Sequence, residues 1–530
     1  MLIFSKYYLH NFERGAIVKK KSLITGALIL TAASIITKIL GFIYRIYMSN
    51  TIGAEGMGLY QLIVPIYTLA WSISASGFST TVSKLVSQEN AKKEYGNMTL
   101  ILKQTIIMSA VISGFLTLIL FFFTDWIGIG ILKDDRTVIS LKIVSLCFPF
   151  MAMGSAIRGY FYGLQDSTIP AVSQVIEQSV RMLVIYIFAD SLIPLGLEYA
   201  CLAAIMGIVA GEIVSFIFTV ISYKYFKLKF KLNKKPTANF NELAATILSM
   251  SLPLTANRVI GSFLATIENT LIPHKLVEYG YTAEQSISLY GELCGMAMPL
   301  LQFPTAFLMA LSITLVPSIS EAVEIKNHKR INYITSKALQ FTALIGIGMS
   351  GIFIFFSHEL GNAIYSNDNI GNLLFYMSWI SPFLYLHIIL SGILNGLGEQ
   401  MFIFKNSLLS SLINILFIFF YIPVFGIYAY LAGSGIGVIV TSSLALNKIS
   451  ECITFYFDFI NWLLKPILAI IISALISKYL IFPYILPKFP MLLSMFIILM
   501  ILGLIYLFLL ILFKSFEKKD LDILLKSVKK

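Results

Sequence analysis

Charge is scarce in this chain. Only 12% of its 530 residues are Asp, Glu, Lys or Arg, while 58% are hydrophobic and the mean hydropathy is +0.84. Soluble domains carry roughly twice that charge, about 25%, so a water-soluble globule is excluded. Cysteine is scarce too. Cys147, Cys201, Cys294 and Cys452 are far apart and show neither metal-site spacing nor a redox pair. With five histidines, hydrolytic or metal chemistry has little material. There is no phosphate loop, no His-Glu-x-x-His and no Gly-x-Ser-x-Gly elbow. The chain is therefore not expected to be an enzyme or to hydrolyse ATP. No catalytic residue, metal ligand or cofactor is expected. Residues 1–21 lack a small-residue cleavage site before a short apolar core, which argues against a cleaved signal peptide. Residues 1–17 look unlike the rest of the chain, and Val18-Lys19-Lys20-Lys21-Ser22 would by itself make an ordinary membrane-protein start.

What the chain has in abundance is apolar runs of about 20–25 residues, the length that crosses a bilayer as a helix. In lipid every backbone polar group needs an internal partner, which leaves helices or a closed barrel. The runs do not alternate strictly, so they are helices. The expected fold is an all-α polytopic membrane protein with fourteen transmembrane helices. Their spans are 23–48, 59–87, 99–124, 137–163, 169–190, 199–223, 242–272, 289–317, 333–357, 371–397, 402–422, 426–446, 462–482 and 489–513. Two of the divisions rest on short polar turns, 164–168 and 398–401. Pro65, Pro149, Pro253, Pro299, Pro304 and Pro382 fall inside spans and are expected to bend them.

Lysine and arginine mark cytoplasmic loops. They crowd into the N-terminus at Lys19–Lys21, the loops near Lys92, Lys224–Lys235 and Lys326–Arg330, and the tail after Lys514, whereas 49–58, 190–198 and 357–370 contain none. Both termini are thus expected inside, which an even helix count permits. The net charge of +12 is mostly topological, and its scatter over short loops argues against a nucleic-acid partner. No separate soluble domain fits. The organisation reads as an N-terminal segment 1–22, an N-lobe 23–223 with helices 1–6, a cytoplasmic linker 224–241, a C-lobe 242–446 with helices 7–12, helices 13–14 within 447–513, and a basic tail 514–530.

The lobes carry an internal duplication. Arg158-Gly159-Tyr160-Phe161-Tyr162-Gly163-Leu164 matches Ser391-Gly392-Ile393-Leu394-Asn395-Gly396-Leu397 at an offset of 233. Leu59-Tyr60 matches Leu289-Tyr290, and Tyr199-Ala200 matches Tyr428-Ala429, at nearly the same offset. Six helices precede the linker, so the repeat is expected to be parallel, its pseudo-two-fold along the membrane normal. Repeated helical bundles with a path between them are a common plan of secondary transporters.

Ionisable residues at membrane depth are costly and are functional candidates. They are Lys38, Arg45, Glu177, Arg181, Glu212, Arg258, Glu268 and Glu292, with Lys84 and Arg158 toward the inner rim. Plain structural roles compete for several of them. Lys84 and Arg158 can snorkel to the surface. Glu177 and Arg181, four apart on one face, can neutralise each other. Glu292 can reach outer water. Lys38, Arg45 and Arg258 have no partner close in sequence and point to a polar cavity. After Glu292 no Asp, Glu, Lys or Arg lies deep in a span, and His387 reads as a packing residue. The polar path is placed among helices 1, 2, 5, 6, 7 and 8, and helices 13 and 14 are placed against lipid.

Several motifs carry a resemblance. Lys38-Ile39-Leu40-Gly41-Phe42-Ile43-Tyr44-Arg45, with Ile52-Gly53-Ala54-Glu55-Gly56-Met57-Gly58, resembles the first helix and loop of polysaccharide and lipid II flippases of the multidrug/oligosaccharidyl-lipid/polysaccharide exporter superfamily. Arg158–Gln165, Ala171–Gln178, Leu289–Gly291 and Leu315–Ala322 resemble the sporulation branch of those flippases. The resemblance covers about residues 20–515. It implies two six-helix lobes, two extra helices and a cavity that opens alternately to each side. It also implies a substrate of undecaprenyl pyrophosphate bearing a sugar, of the lipid II type that serves as precursor of spore-cortex peptidoglycan. Lys38, Arg45 and Arg258 would bind the pyrophosphate, while Glu177, Arg181, Glu212, Glu268 and Glu292 would line or gate the cavity. Arg45 stands three residues after Phe42 where the family usually places Arg two after, and Lys38 stands where it places Arg. The implied partners are the lipid-linked sugar, membrane lipids, a coupling ion (Na⁺ or H⁺) and cortex-synthesis enzymes, in a bacterial cell membrane. Two rivals are a multidrug–cation antiporter of the same superfamily and a non-transporting scaffold for cortex synthesis.

Overall fold

The computed structural model describes the backbone of residues 23–229, 236–453 and 458–515, with side chains from residue 32 onward. The N-terminal segment, Lys231, Lys234 and Lys235 of the linker, and nearly all of the basic tail lie outside the described residues. Among the described residues every regular element is a helix. Eleven helices among the described residues are long and apolar enough to cross a membrane, and thirteen if each of two bent pairs is one span.

The first helix, α1 (Leu23–Trp71), continues through a π turn at Ser72–Ser76 into α2 (Gly77–Ala91). The apolar part, Ala32–Ala91, is 60 residues long, about three times the length of one crossing. Gly53 interrupts it with φ 71° and ψ −178°, a conformation open to glycine and strained for an L side chain. Next come α3 (Tyr95–Phe122), then α4 (Val138–Ser145) and α5 (Phe148–Gly163), which form one span bent by 45°. The helices α6 (Thr168–Leu192), α7 (Leu197–Lys229) and α8 (Phe240–Tyr279) follow.

The eighth expected span is subdivided. Thr282 caps α9 (Ala283–Tyr290) through a reciprocal box with Gln285, satisfying two orphan N–H groups. A π segment, Gly291–Ala297, and the short α10 (Met298–Gln302) precede a break at Phe303 and Pro304, after which α11 (Thr305–Glu324) begins. The long α12 (His328–Tyr365) runs eight residues past its expected end and is broken at Phe356 (φ −124°, ψ 19°). Lys478 donates to the Phe355 carbonyl at 2.5 Å and pairs with Glu359 at 2.8 Å, so an outlying lysine satisfies a backbone group beside the break. The bent pair α13 (Asp368–Ser378) and α14 (Ser381–Leu397) turns by 55°. The remaining longer helices are α15 (Gln400–Phe420), α16 (Ile427–Cys452), α17 (Lys465–Leu475) and α18 (Met491–Leu512). Both short turns fall where the sequence puts them: Gln165 (φ 59°) lies between α5 and α6, and Gly398 (φ 87°) lies between α14 and α15.

Packing divides the chain into two compact units whose borders run through helices. One holds the chain up to Tyr44 and Leu62–Thr266, and the other holds Arg45–Gln61 and the chain from Ile267. In the first unit Phe78, Val82 and Val86 of α2 pack with Met98 and Ile101 of α3 and with Tyr160 and Phe161 of α5. Buried Asn97 accepts the backbone N–H groups of Thr237 and Ala238 at 2.9 and 3.0 Å and donates to Glu89 at 2.7 Å. Gln104 donates to the Phe240 carbonyl at 2.6 Å. The end of the linker and the start of α8 are therefore tied to the α2–α3 turn.

The glycines of the duplication do the same work in each unit. A Cβ on Gly159 would stand 2.5 Å from the Ser79 carbonyl oxygen, and one on Gly163 would stand 2.6 Å from that of Ser83 and 2.9 Å from Val86 Cβ. In the second unit Gly392 meets Ser312, and a Cβ on Gly396 would stand 3.2 Å from the Val316 carbonyl oxygen and 2.8 Å from Ile319 Cβ. Ser79 and Ser312, Ser83 and Val316, and Val86 and Ile319 are each offset by the same 233 residues as the glycines. Pro149 and Pro382, at the bends of the two broken spans, share that offset. The duplication is thus a repeat of contacts as well as of letters.

Candidate functional site

In the first unit, five helices line an open cavity of about 370 Å³. The end of α1 contributes Tyr67, Thr68 and Trp71, and α2 contributes Ser79. Ser155, Arg158 and Tyr162 come from α5, Gln174 and Glu177 from α6, and Glu212 from α7. Glycines set the approach of the last two helices. A Cβ on Gly211 would stand 2.9 Å from the Glu177 carbonyl oxygen, and one on Gly207 would stand 3.0 Å from that of Arg181. Close backbone contact brings Glu212 of α7 beside Arg181 of α6.

The resulting polar network is buried. Arg181 reaches Glu177 at 2.5 Å and Glu212 at 3.5 Å. Tyr67 donates its hydroxyl to Glu212 Oε1 at 2.5 Å. Glu212 is 4% exposed, and its Oε2 has no hydrogen-bond partner. Arg158 donates to Ser215 at 3.4 Å and lines the cavity. The expected Glu177–Arg181 neutralisation is present, and Glu212 joins it from the next helix. Arg158, Glu177 and Glu212 line the cavity, and Arg181 pairs with both glutamates.

Arg258 stands beside this cavity in the same unit. It is exposed, its guanidinium lies 5.9 Å from the Trp71 ring centre, and it donates to the Ser76 carbonyl at 3.5 Å. Lys38 is half-buried in this unit and Lys84 is exposed on α2. Arg45 belongs to the second unit, within electrostatic reach of Cys294 and Tyr365. In that unit Glu268 accepts from Asn414 at 3.3 Å while its Oε1 has no hydrogen-bond partner. Glu292 is only 6% exposed and accepts from Asn367 at 2.8 Å, so a loop amide takes the place of the outer water expected for it. His387 is half-buried.

Sequence reasoning missed Tyr67, Trp71, Tyr162 and Gln174 as site residues. They are neutral, and aromatic residues within apolar runs give no local signal. Only the polar residues spaced along α6 hint at a wet face.

Residues 23–323 match the polysaccharide biosynthesis protein family, and residues 294–420 match the MatE family. The chain is 30% identical to stage V sporulation protein B of Bacillus subtilis (strain 168) over 475 residues, covering 87% of this chain and 91% of that one. It is 27% identical to the lipid II flippase MurJ of the same organism over 409 residues, covering 72% and 74%. A solved structure of lipid II flippase MurJ in an inward closed conformation matches with TM-score 0.64 and 17% identity, covering 91% of this chain and 98% of that one. That last likeness speaks to fold alone. The chain is a multi-pass membrane protein of the polysaccharide biosynthesis protein family.

Proposed function

We propose that this protein is a flippase for an undecaprenyl-pyrophosphate-linked sugar, of the lipid II type used for spore cortex, and that it works by alternating access. The observation that carries this reading is Arg258. Its guanidinium is exposed at membrane depth, held on an aromatic ring and a backbone carbonyl rather than neutralised by a carboxylate. A cation kept there at such cost calls for an anionic ligand, and a pyrophosphate provides several acceptor oxygens. Lys38 and Arg45 are further binding cations in this reading, and the similarity to two Bacillus membrane proteins supports the substrate class. Lipid would hold the prenyl chain while the head group, too polar to cross unaided, is carried. In this reading the Ala32–Ala91 stretch is two crossings divided at Gly53, bringing the count to the expected fourteen, and both termini and the 224–241 loop are cytoplasmic.

The test is exposure of lipid II on the outer leaflet, in cells or vesicles with and without this protein. Exposure dependent on the protein is expected, and equal exposure in its absence would remove the flippase reading. A second reading, an ion-coupled antiporter, draws on the match to the MatE family and on Glu268 beside Asn414. It predicts efflux of organic cations that Glu268→Gln abolishes, with lipid II exposure unchanged.

A further inference from the structure

We propose that the cavity in the first unit is a saccharide subsite, which seats the sugar joined directly to the pyrophosphate. This rests on the flippase reading and says where in the chain the head group is recognised.

Two carboxyl groups, those of Glu177 and Glu212, line the cavity, which suits a neutral polyhydroxy ligand better than a pyrophosphate. The exposed Arg258 guanidinium, outside the cavity, offers the phosphates a cation held only on a ring and a carbonyl. Shape and chemistry suit a sugar. Tyr67, Trp71 and Tyr162 supply aromatic walls, and large amphipathic rings match the C–H faces of a pyranose. Around them stand hydrogen-bonding groups of both kinds. The Gln174 amide donates and accepts, and Arg158 donates. The volume of about 370 Å³ lies at the small end of ligand cavities, which suits sugar rings and leaves a peptide stem outside.

Trp71 joins this cavity to the proposed anion site. It lines the cavity and also carries the Arg258 guanidinium. A sugar esterified to pyrophosphate would lie with its ring on the cavity side of Trp71 and its phosphates toward Arg258. Trp71 and Arg258 belong to one unit.

The experiment is native mass spectrometry of the full-length protein in detergent with two probes, undecaprenyl pyrophosphate and the same lipid carrying an N-acetylhexosamine disaccharide. In the wild type the sugar should tighten binding about tenfold or more, the equivalent of one or two good hydrogen bonds. Trp71→Ala and Gln174→Ala should bind both lipids alike, the second variant guarding against misfolding of the first. Arg258→Ala should weaken both lipids and keep their ratio. Equal binding of the two lipids by the wild type, or an undiminished sugar increment in both Trp71→Ala and Gln174→Ala, would overturn the subsite while leaving the pyrophosphate reading intact. Binding of neither lipid would overturn both.

Discussion

Removing the positive charge of Arg181 should damage this protein more than removing almost any other single charge. Its guanidinium lies 2.5 Å from Glu177 and 3.5 Å from Glu212, with side-chain exposures of 17% for Arg181, 17% for Glu177 and 5% for Glu212. Arg181→Met keeps much of the packing of the stem and strands two carboxylates in a place with little water. Breaking a buried pair from one side costs about 3–5 kcal/mol. Its residual exposure of 17% places Arg181 at the lower end of that range, about 3 kcal/mol. A useful contrast is Lys92 with Glu89, also short at 2.7 Å but with Lys92 65% exposed. An exposed pair of this kind is worth about 0–1 kcal/mol. Distance is alike in the two pairs, so burial sets the difference. The assay is heat stability of the detergent-solubilised protein, read by fluorescence-detected size exclusion. Arg181→Met should melt well below the wild type and Lys92→Met close to it. Adding Glu177→Gln and Glu212→Gln to Arg181→Met should recover most of the loss, because the stranded charges are then gone. If Arg181→Met is as stable as the wild type, or the triple variant is no better than the single one, the three residues do not form a buried charge cluster.

Further outcomes are specific. Gly159→Ala and Gly392→Ala should each destabilise by about 1–3 kcal/mol through overpacking, whereas Gly114→Ala, with nothing within 4 Å of its Cβ, should be neutral or stabilising; the same heat assay decides. Arg258→Ala and Arg45→Ala should each lose a charge-assisted contact of about 1.5–3 kcal/mol, roughly ten- to hundred-fold in affinity for undecaprenyl pyrophosphate, with partial recovery by Lys. Lys84→Ala should bind as the wild type does. A cysteine placed at residue 230 should resist an impermeant thiol reagent added to intact cells, and modification there would reverse the proposed topology.

Much of the fold was legible because lipid imposes a blunt rule: an apolar run of span length becomes a helix. The turns at 164–168 and 398–401 were legible because polar residues and Gly398 interrupt that pattern. Pro149 and Pro382 marked their bends correctly. The break at Phe356 was not legible, since no proline or glycine announces it and the lysine that serves it lies 122 positions later. The site was half legible. Glu177 and Arg181 could be paired from helical spacing, but Glu212 could not, because its place depends on close helix contact at Gly207 and Gly211. The neutral wall of Tyr67, Trp71, Tyr162 and Gln174 was invisible, as residues that recognise by shape carry no charge to betray them.

The tie between Asn97 and the linker separates two kinds of boundary. By the 233-residue offset of the sequence repeat, the second copy would begin with α8. As packing, the part of that opening helix up to Thr266 belongs to the first unit, pinned there by Asn97 and Gln104. A gene cut in the lysine-rich loop would yield two fragments that are whole by descent and incomplete by structure: the first would lack part of its core, and the second would carry a stretch of helix with no home. Fusion of the two copies therefore left each dependent on the other for its own folding, which makes the joined chain hard to divide again.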